Sequence, residues 1–181
     1  MSFLERIFGG NAGASEPPIP ASETETVRRI TDALDRLGRR QAKFIACFAY
    51  LLGRVANANM DISKEESREM ELVVIERGEL PEEQAIIVVQ IAKTQNLLFG
   101  HTENFLVARE FNQIASREEK LALLDCLFAV SAADDEVSTV EDNVIRNIAD
   151  ELKLDHGDFI DARCRWRDYL AVLKKRPERS T

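Results

Sequence analysis

The sequence has little of several features that define common protein classes. Its longest uncharged apolar run, Phe44 to Gly53, falls short of the roughly 20 residues that a bilayer-spanning helix needs. It has only three cysteines and no Cys-x-x-Cys pair, which argues against a disulfide framework and favours a reducing compartment. No signal peptide is expected at the start, MSFLERIFGG, because Glu5 and Arg6 interrupt its apolar residues. We therefore expect a cytoplasmic protein without a transmembrane segment.

Residues that usually carry catalysis are also scarce. The two histidines, His101 and His156, have no partner at metal-ligand spacing. Cys47, Cys126 and Cys164 lie within helical patterns, where a buried small apolar role is expected. No phosphate-binding loop, dinucleotide fingerprint, nucleophile elbow or zinc motif occurs. The sequence therefore predicts a protein that is not an enzyme.

Positive charge is in the minority, with 24 Lys and Arg against 32 Asp and Glu and a net charge of -8. Nucleic-acid binding needs clustered Lys and Arg side chains, so we expect no nucleic-acid partner. Acidic residues dominate 61–83 and 134–161, whereas basic residues dominate 162–181. Trp166, in the basic segment, is expected to pack against the core rather than to stack on bases. An acidic surface of this kind favours cations or basic protein partners.

The distribution of proline and glycine divides the chain. Most prolines fall in residues 9–23, which predicts a flexible linker. We expect a flexible N-terminal segment with a short amphipathic start over 1–22, a helical domain over 23–174 and a basic tail over 175–181.

Apolar residues recur at three- and four-residue steps from residue 23 onward, which is typical of amphipathic helices. The pattern predicts an all-α fold, a compact bundle of about seven to eight helices. Gly78 should end one helix. Pro81 should be the first residue of the next helix, which should extend to near Gly100. The last helix should cover 156–173. Helix starts are predicted by capping boxes at Ser22-Glu25, Ser63-Glu66, Ser116-Glu119 and Ser138-Glu141, with a looser version at Asp155-Asp158.

The sequence also repeats itself at an offset of 75 residues. The stretch Asn57 to Glu66 aligns with Ala132 to Glu141, and after one residue of slippage Leu80 meets Leu154. Each unit would expose an apolar face that its twin could cover. We therefore predict two pseudo-symmetric helix–acidic turn–helix repeats, about 40–100 and about 116–173.

The second copy, LLDCLFAVSAADDEVSTVEDNVIRNIADELKL, resembles the tellurite-resistance TerB-like family. That family's core has an apolar helix, Ala-Ala-Asp-Gly, an acid, an aliphatic residue, Ser, two variable residues and Glu, then a second helix. Asp134, Glu136, Ser138 and Glu141 take the matching positions. Asp135 stands where the family has Gly, so a left-handed turn there carries some conformational cost. The resemblance spans about 40–170 and is looser in the first copy.

The resemblance implies an all-helical domain of two pseudo-repeats with no catalytic residues. It further implies a part in tellurite and other stress resistance, in membrane-associated complexes that family members join from the cytoplasm. Similar domains accompany J-domain modules of co-chaperones. Acidic clusters in the family have been viewed as metal sites.

Two interpretations of the acidic turn follow. In one, Ser138 and Glu141 form a capping box, and the neighbouring acids face water near the positive helix start. In the other, Asp134, Glu136 and Glu141 bind a divalent cation such as calcium, with a carbonyl of Val137 or Asp135. The equivalent set in the first copy, Asn59, Asp61 and Glu66, carries less charge and should bind more weakly.

The function predicted from these features is a non-enzymatic stress-response binding protein that presents acidic helix-start turns. No cofactor is predicted with certainty, and a divalent cation such as calcium belongs to the second interpretation of the acidic turn alone. The expected partner is a protein that is basic or membrane-associated. The alternative is a metal-independent cytoplasmic adaptor or co-chaperone-like module, which would use an apolar groove between the two repeats.

Overall fold

The computed structural model describes residues 21–56, 64–94 and 104–173. Within these ranges the chain is helical, with one isolated bridge between extended residues, so the all-α prediction is confirmed. The helices are α1 (Ala21–Asp35), α2 (Arg39–Ala56), α3 (Lys64–Glu76), α4 (Glu82–Lys93), α5 (Asn104–Ile114), α6 (Arg117–Ser131), α7 (Thr139–Glu151) and α8 (His156–Arg165), with short 3-10 helices at Ala132–Asp134 and Arg167–Tyr169. None of the helices in the described ranges is both long and apolar enough to cross a bilayer.

Helix α2 forms the centre of the bundle. Every residue from Phe44 to Gly53 is buried, because α4, α5, α6 and α7 all contact this helix. A helix that is apolar on all sides must be enclosed in this way. The rings of Phe44, Phe48 and Phe111 pack together with centroids 5.3 to 6.5 Å apart. This aromatic cluster joins α2 to α5.

Gly78 lies just beyond the end of α3, as predicted. A Cβ atom at this buried position would lie 2.6 Å from the carbonyl oxygen of Val74 and 3.2 Å from the ring of Phe48. Only glycine lets the chain pass this close to α2 and α3. The next helix differs by one residue from the prediction, because Pro81 is its N-cap, with extended backbone, rather than its first helical residue.

Three predicted helix ends are wrong. Helix α4 stops at Lys93, well before Gly100, where the Thr94 hydroxyl donates a hydrogen bond to the Gln90 carbonyl at 2.8 Å and the Thr94 amide caps the helix. Helix α1 begins at Ala21, so Ser22 lies inside the helix and is not its cap.

The last helix is also shorter than predicted. Helix α8 ends at Arg165 rather than near 173, because the following residues leave it to pair with the start of α7. We call residues 166–173 the C-terminal strap.

The local structure repeats at the offset found in the sequence. Helix α3 spans Lys64–Glu76, and α7 spans Thr139–Glu151, 75 residues further on at both ends. Glu79 and Lys153, which directly precede the aligned leucines, adopt left-handed φ values of 54° and 55°. The local correspondence supports the repeat, while its symmetry in space stays a prediction. The domain boundaries also stay predictions, because residues 1–20 and 174–181 lie outside the described residues.

Candidate functional site

The acidic turn, residues 132–138, joins α6 to α7. Its 3-10 helix ends at Asp134 and is capped by Asp135, whose backbone is left-handed with φ 65° and ψ 9°. The Asp135 amide donates a hydrogen bond to the Ala132 carbonyl at 3.0 Å. The left-handed turn expected at this position is therefore present, with aspartate where glycine would adopt it at less cost.

The predicted capping box at the start of α7 is formed. The Ser138 hydroxyl accepts from the Glu141 amide at 3.2 Å, and the Glu141 carboxylate accepts from the Ser138 amide at 2.9 Å. Glu141 is only 4% exposed. Its carboxylate therefore serves the helix start and faces away from bulk water. Ser116 and Glu119 form the same box at the start of α6.

Val137 anchors the turn to the C-terminal strap. Its amide donates to the Tyr169 carbonyl at 2.8 Å, and its carbonyl accepts from the Ala171 amide at 2.9 Å. These two bonds make a parallel bridge between Val137 and Leu170, both of which are buried. The Val137 carbonyl, which the sequence suggested as a cation ligand, thus accepts a hydrogen bond from the strap.

The remaining predicted ligands are placed as follows. Asp134 and Glu136 are exposed, and the Asp134 carboxylate accepts a long hydrogen bond from the Glu136 amide at 3.4 Å. Among the described residues, no three His, Cys, Asp or Glu side chains are grouped so as to hold a metal ion. Asn59 and Asp61 lie outside the described residues, as does the side chain of Glu66. The cation site therefore stays a prediction.

Exposed apolar side chains lie on the two segments that the Val137–Leu170 bridge joins. We call them the apolar flank, and they are Val140 (64% exposed), Val172 (60%), Leu173 (52%) and Tyr169 (36%). The bridge places Val137, three residues before Val140, next to Leu170, which follows Tyr169 and precedes Val172 by two residues. The acidic turn is therefore joined to a segment with exposed apolar side chains.

A second polar centre, which the sequence interpretation missed, surrounds Asp125 on α6. This carboxylate is 9% exposed and accepts from the Trp166 indole at 3.2 Å and from Arg77 at 3.0 Å. The Arg165 guanidinium lies 3.5 Å away, and the Arg77 guanidinium lies 5.4 Å from the centroid of the Trp166 ring. Trp166 packs against the core, as predicted. The position of Asp125 inside the apolar run LALLDCLFAV could have indicated this centre. A charge in such a run is expected to be buried, and buried charges are seldom left unpaired.

Next to Asp125 lies a hollow of about 700 Å³ between the end of α3, the start of α6 and α8. Its basic side chains are Arg77, Arg117 and Arg165. Its acidic side chains are Glu79, Glu118, Asp125, Asp158 and Asp161. A second hollow of about 420 Å³ shares Glu79, Glu118 and Ala122 with the first. We call the two together the charged trough.

The charged trough lies between the two halves of the sequence, where the adaptor interpretation expected a groove. Glu79 follows α3, in the first predicted repeat, and Glu118 begins α6, in the second. Charged side chains line this groove because helix termini and their charged flanking residues meet there, while the apolar faces of the helices turn into the core. The apolar groove of the adaptor interpretation stays a prediction.

A comparison with protein-family models matches residues 44–164 to the family described as tellurite resistance protein TerB. The chain belongs to the TerB family. The match begins in α2 and ends in α8, so it includes the acidic turn and most of the trough. Comparisons with curated proteins and with solved structures found no match.

The cysteines of this TerB-family chain are free and differ in exposure. Burial raises the pKa of the Cys47 and Cys126 thiols far above the ordinary range. Such thiols are inert as nucleophiles because the thiolate is the reactive form. Cys164 is exposed, which corrects the prediction that all three are buried. It lies on the exposed side of α8, which packs against α6 and α7.

Proposed function

We propose that this TerB-family chain is a non-enzymatic binding protein of the cytoplasmic stress response, which presents its acidic turn and apolar flank to a basic protein partner. The observation that carries the proposal is the Val137–Leu170 bridge. It joins three exposed acids, Asp134, Asp135 and Glu136, to segments with exposed apolar side chains.

The chemistry of the surface favours a protein segment with both basic and apolar residues. Exposed carboxylates steer a basic partner and set its orientation, although each pair adds little affinity. Apolar side chains supply most of the affinity when they are removed from water. The capping box and the bridge hold the backbone in place beforehand, which lowers the entropic cost of binding.

The surfaces described above contain little that would support catalysis. Among the described residues, no histidine, cysteine or serine lines either hollow of the charged trough. The buried thiols are protonated, and a nucleophile with an adjacent base is the usual requirement for covalent catalysis. This composition supports a binding role.

A site-specific cross-link would identify the partner. We would place a photoreactive amino acid at Val172, cross-link in the native cell, and purify the captured protein separately. Its dissociation constant would then be measured against the wild-type chain and two variants. We expect Asp134→Asn/Glu136→Gln and Val172→Ser/Leu173→Ser each to weaken binding at least tenfold.

Matched controls lie elsewhere on the surface. Leu72 on α3 is 52% exposed, the same as Leu173, so Leu72→Ser removes a comparable apolar side chain far along the chain. Glu76→Gln/Asp150→Asn removes two exposed charges outside the turn. Both controls should bind like wild type. Equal weakening by the control and turn variants would show that net charge or stability decides binding, and would refute the proposed surface.

The predicted cation site is a separate proposal on the same turn. Binding of a cation by Asp134, Glu136 and Glu141 would require Glu141 to leave its capping box, at a cost of about 1 kcal/mol. If the capping box alone accounts for these residues, the thermal midpoint in EDTA should equal that in millimolar calcium, magnesium or zinc. A selective rise with one cation, lost in Asp134→Asn/Glu136→Gln, would establish the cation interpretation, since ligand at 100 times its dissociation constant adds about 2.7 kcal/mol.

A further inference from the structure

The charged trough differs at its two ends. In the larger hollow, two of the five carboxylates are already paired: Asp125 with Arg77, and Asp158 with Arg117 at 2.5 Å. Among the described residues that line the smaller hollow, the charged ones are Glu79, Glu118 and Glu119, with no lysine or arginine. The trough therefore becomes more acidic along its length.

Glu79 and Glu118 stand where the two hollows meet, and both are exposed. The Glu118 carboxylate is held in its charged form, because hydrogen bonds from its own amide and from Ser116 lower its pKa. Glu79 makes no ion pair within the described part of the chain. Between them lies Ala122, which leaves room for a side chain to enter.

We propose that the charged trough is a second binding site, which takes an extended segment of another protein and seats a lysine or arginine side chain between Glu79 and Glu118. The two hollows are continuous through the lining residues Glu79, Glu118 and Ala122, which suits an extended peptide rather than a compact ligand. The Ala122 and Leu121 side chains form an apolar floor for the aliphatic part of the basic residue. This site is separate from the acidic turn and does not depend on it.

An anionic ligand fits the trough less well. The three arginines are half exposed, with side-chain exposures of 46%, 59% and 58%, but each already lies within 4 Å of a carboxylate. Five carboxylates face these three guanidinium groups in the larger hollow, and the one charged side chain that the smaller hollow adds among the described residues is Glu119. An anion would meet net repulsion, whereas a cation meets net attraction.

The fluorescence of Trp166 can report binding at the charged trough. Trp166 is the single tryptophan, and its indole bonds to Asp125, which lines the larger hollow. We would titrate the full chain with a blocked nine-residue peptide of alternating alanine and arginine, and follow tryptophan fluorescence together with anisotropy of the labelled peptide. The same peptide with glutamine in place of arginine is the control ligand. We expect saturable binding of the arginine peptide alone.

Two variants with equal charge changes locate the binding. Glu79→Gln/Glu118→Gln should weaken the arginine peptide at least tenfold, whereas Asp134→Asn/Glu136→Gln should leave its affinity within twofold. Far-ultraviolet circular dichroism checks that each variant is folded, and the exposure of all four side chains favours this. Absence of saturable binding, or equal weakening by both variants, would overturn the proposal.

The chain's own basic tail is the competing occupant. Residues 174–181 contain three lysines or arginines in succession at 174–176 and could fold back onto the trough. A chain that lacks these residues should bind the peptide as the full chain does. A gain of tenfold or more on deletion would assign the trough to the tail and overturn the proposal of an external partner.

Discussion

The carboxylate of Asp142 accepts three hydrogen bonds from the guanidinium of Arg163, at 2.8, 2.9 and 3.1 Å. Asp142 is 6% exposed and lies in the first turn of α7, while Arg163 reaches it from α8. The hydrogen bonds that the guanidinium donates to Asp142 raise the pKa of Arg163. This bidentate pair fixes the helix after the acidic turn to the helix before the strap.

Removing one member of this pair should be costly. We expect Asp142→Ala to lower the free energy of unfolding by about 3 kcal/mol, because it leaves a partly buried guanidinium without its partner. The double variant Asp142→Leu/Arg163→Met should lose less stability than Asp142→Ala, because it leaves no partly buried charge without a partner. Urea denaturation measures both, and a double variant less stable than Asp142→Ala would contradict this account.

Substitution of Gly78 should destabilise the fold through a steric clash. A methyl group there would meet the Val74 carbonyl oxygen at 2.6 Å, so backbone must move, and we expect Gly78→Ala to cost about 1–3 kcal/mol. Gly157 in α8 has open space around the same atom, and Gly157→Ala should stabilise by about 0.5–1 kcal/mol. Thermal unfolding compares the two. A neutral Gly78→Ala would mean that the close approach has no energetic importance.

The left-handed backbone of Asp135 predicts an unusual order of stability. Asp135→Gly should be more stable than Asp135→Ala by about 1 kcal/mol, because only glycine adopts this conformation without steric cost. At Asn147, an exposed position inside α7, the order should reverse, with alanine better by about 1 kcal/mol. Chemical denaturation of the four variants tests this. The same order at both positions would refute the conformational explanation.

The two buried thiols should limit stability in alkali. Burial raises the folded-state pKa of Cys47 and Cys126 above the ordinary value of 9.0, so the folded chain keeps both protons while the unfolded chain releases them. Their contribution is complete below about pH 9 and is lost as pH rises. Between pH 9 and 10 the two thiols together should cost about 2 kcal/mol. The wild type should therefore lose about that much more stability over this interval than Cys47→Ala/Cys126→Ala, and equal losses would exclude the thiols as the cause.

Sequence periodicity predicted the helices well because the apolar spacing that forms each helix is local. The apolar face of α2, the capping boxes at Ser116 and Ser138, and the stop at Gly78 follow from residues within a few positions of one another. Helix lengths were less well predicted where a distant segment decided them. Helix α8 ends at Arg165 because Leu170 pairs with Val137, and no local signal reports that partner.

The candidate sites divide in the same way. The acidic turn could be found from sequence, since its acids and its cap are neighbours in the chain. The charged trough could not, because Arg77, Glu118 and Asp161 belong to three segments that only the folded bundle brings together. Asp125 could have been suspected from its position in an apolar run, but its partners at 77 and 166 are set by tertiary packing.

The Val137–Leu170 bridge also determines when the acidic turn can complete its backbone hydrogen bonds during synthesis. The acidic turn is synthesised before α7, α8 and the strap, so its central amide and carbonyl have only water as partners until Leu170 emerges and closes the loop. In the finished protein the amides of Val137 and Ala171 should exchange with solvent at one common rate, since both become accessible when the strap lifts. We therefore expect the acidic turn and the C-terminal strap to pair late in synthesis and to open together as one cooperative unit.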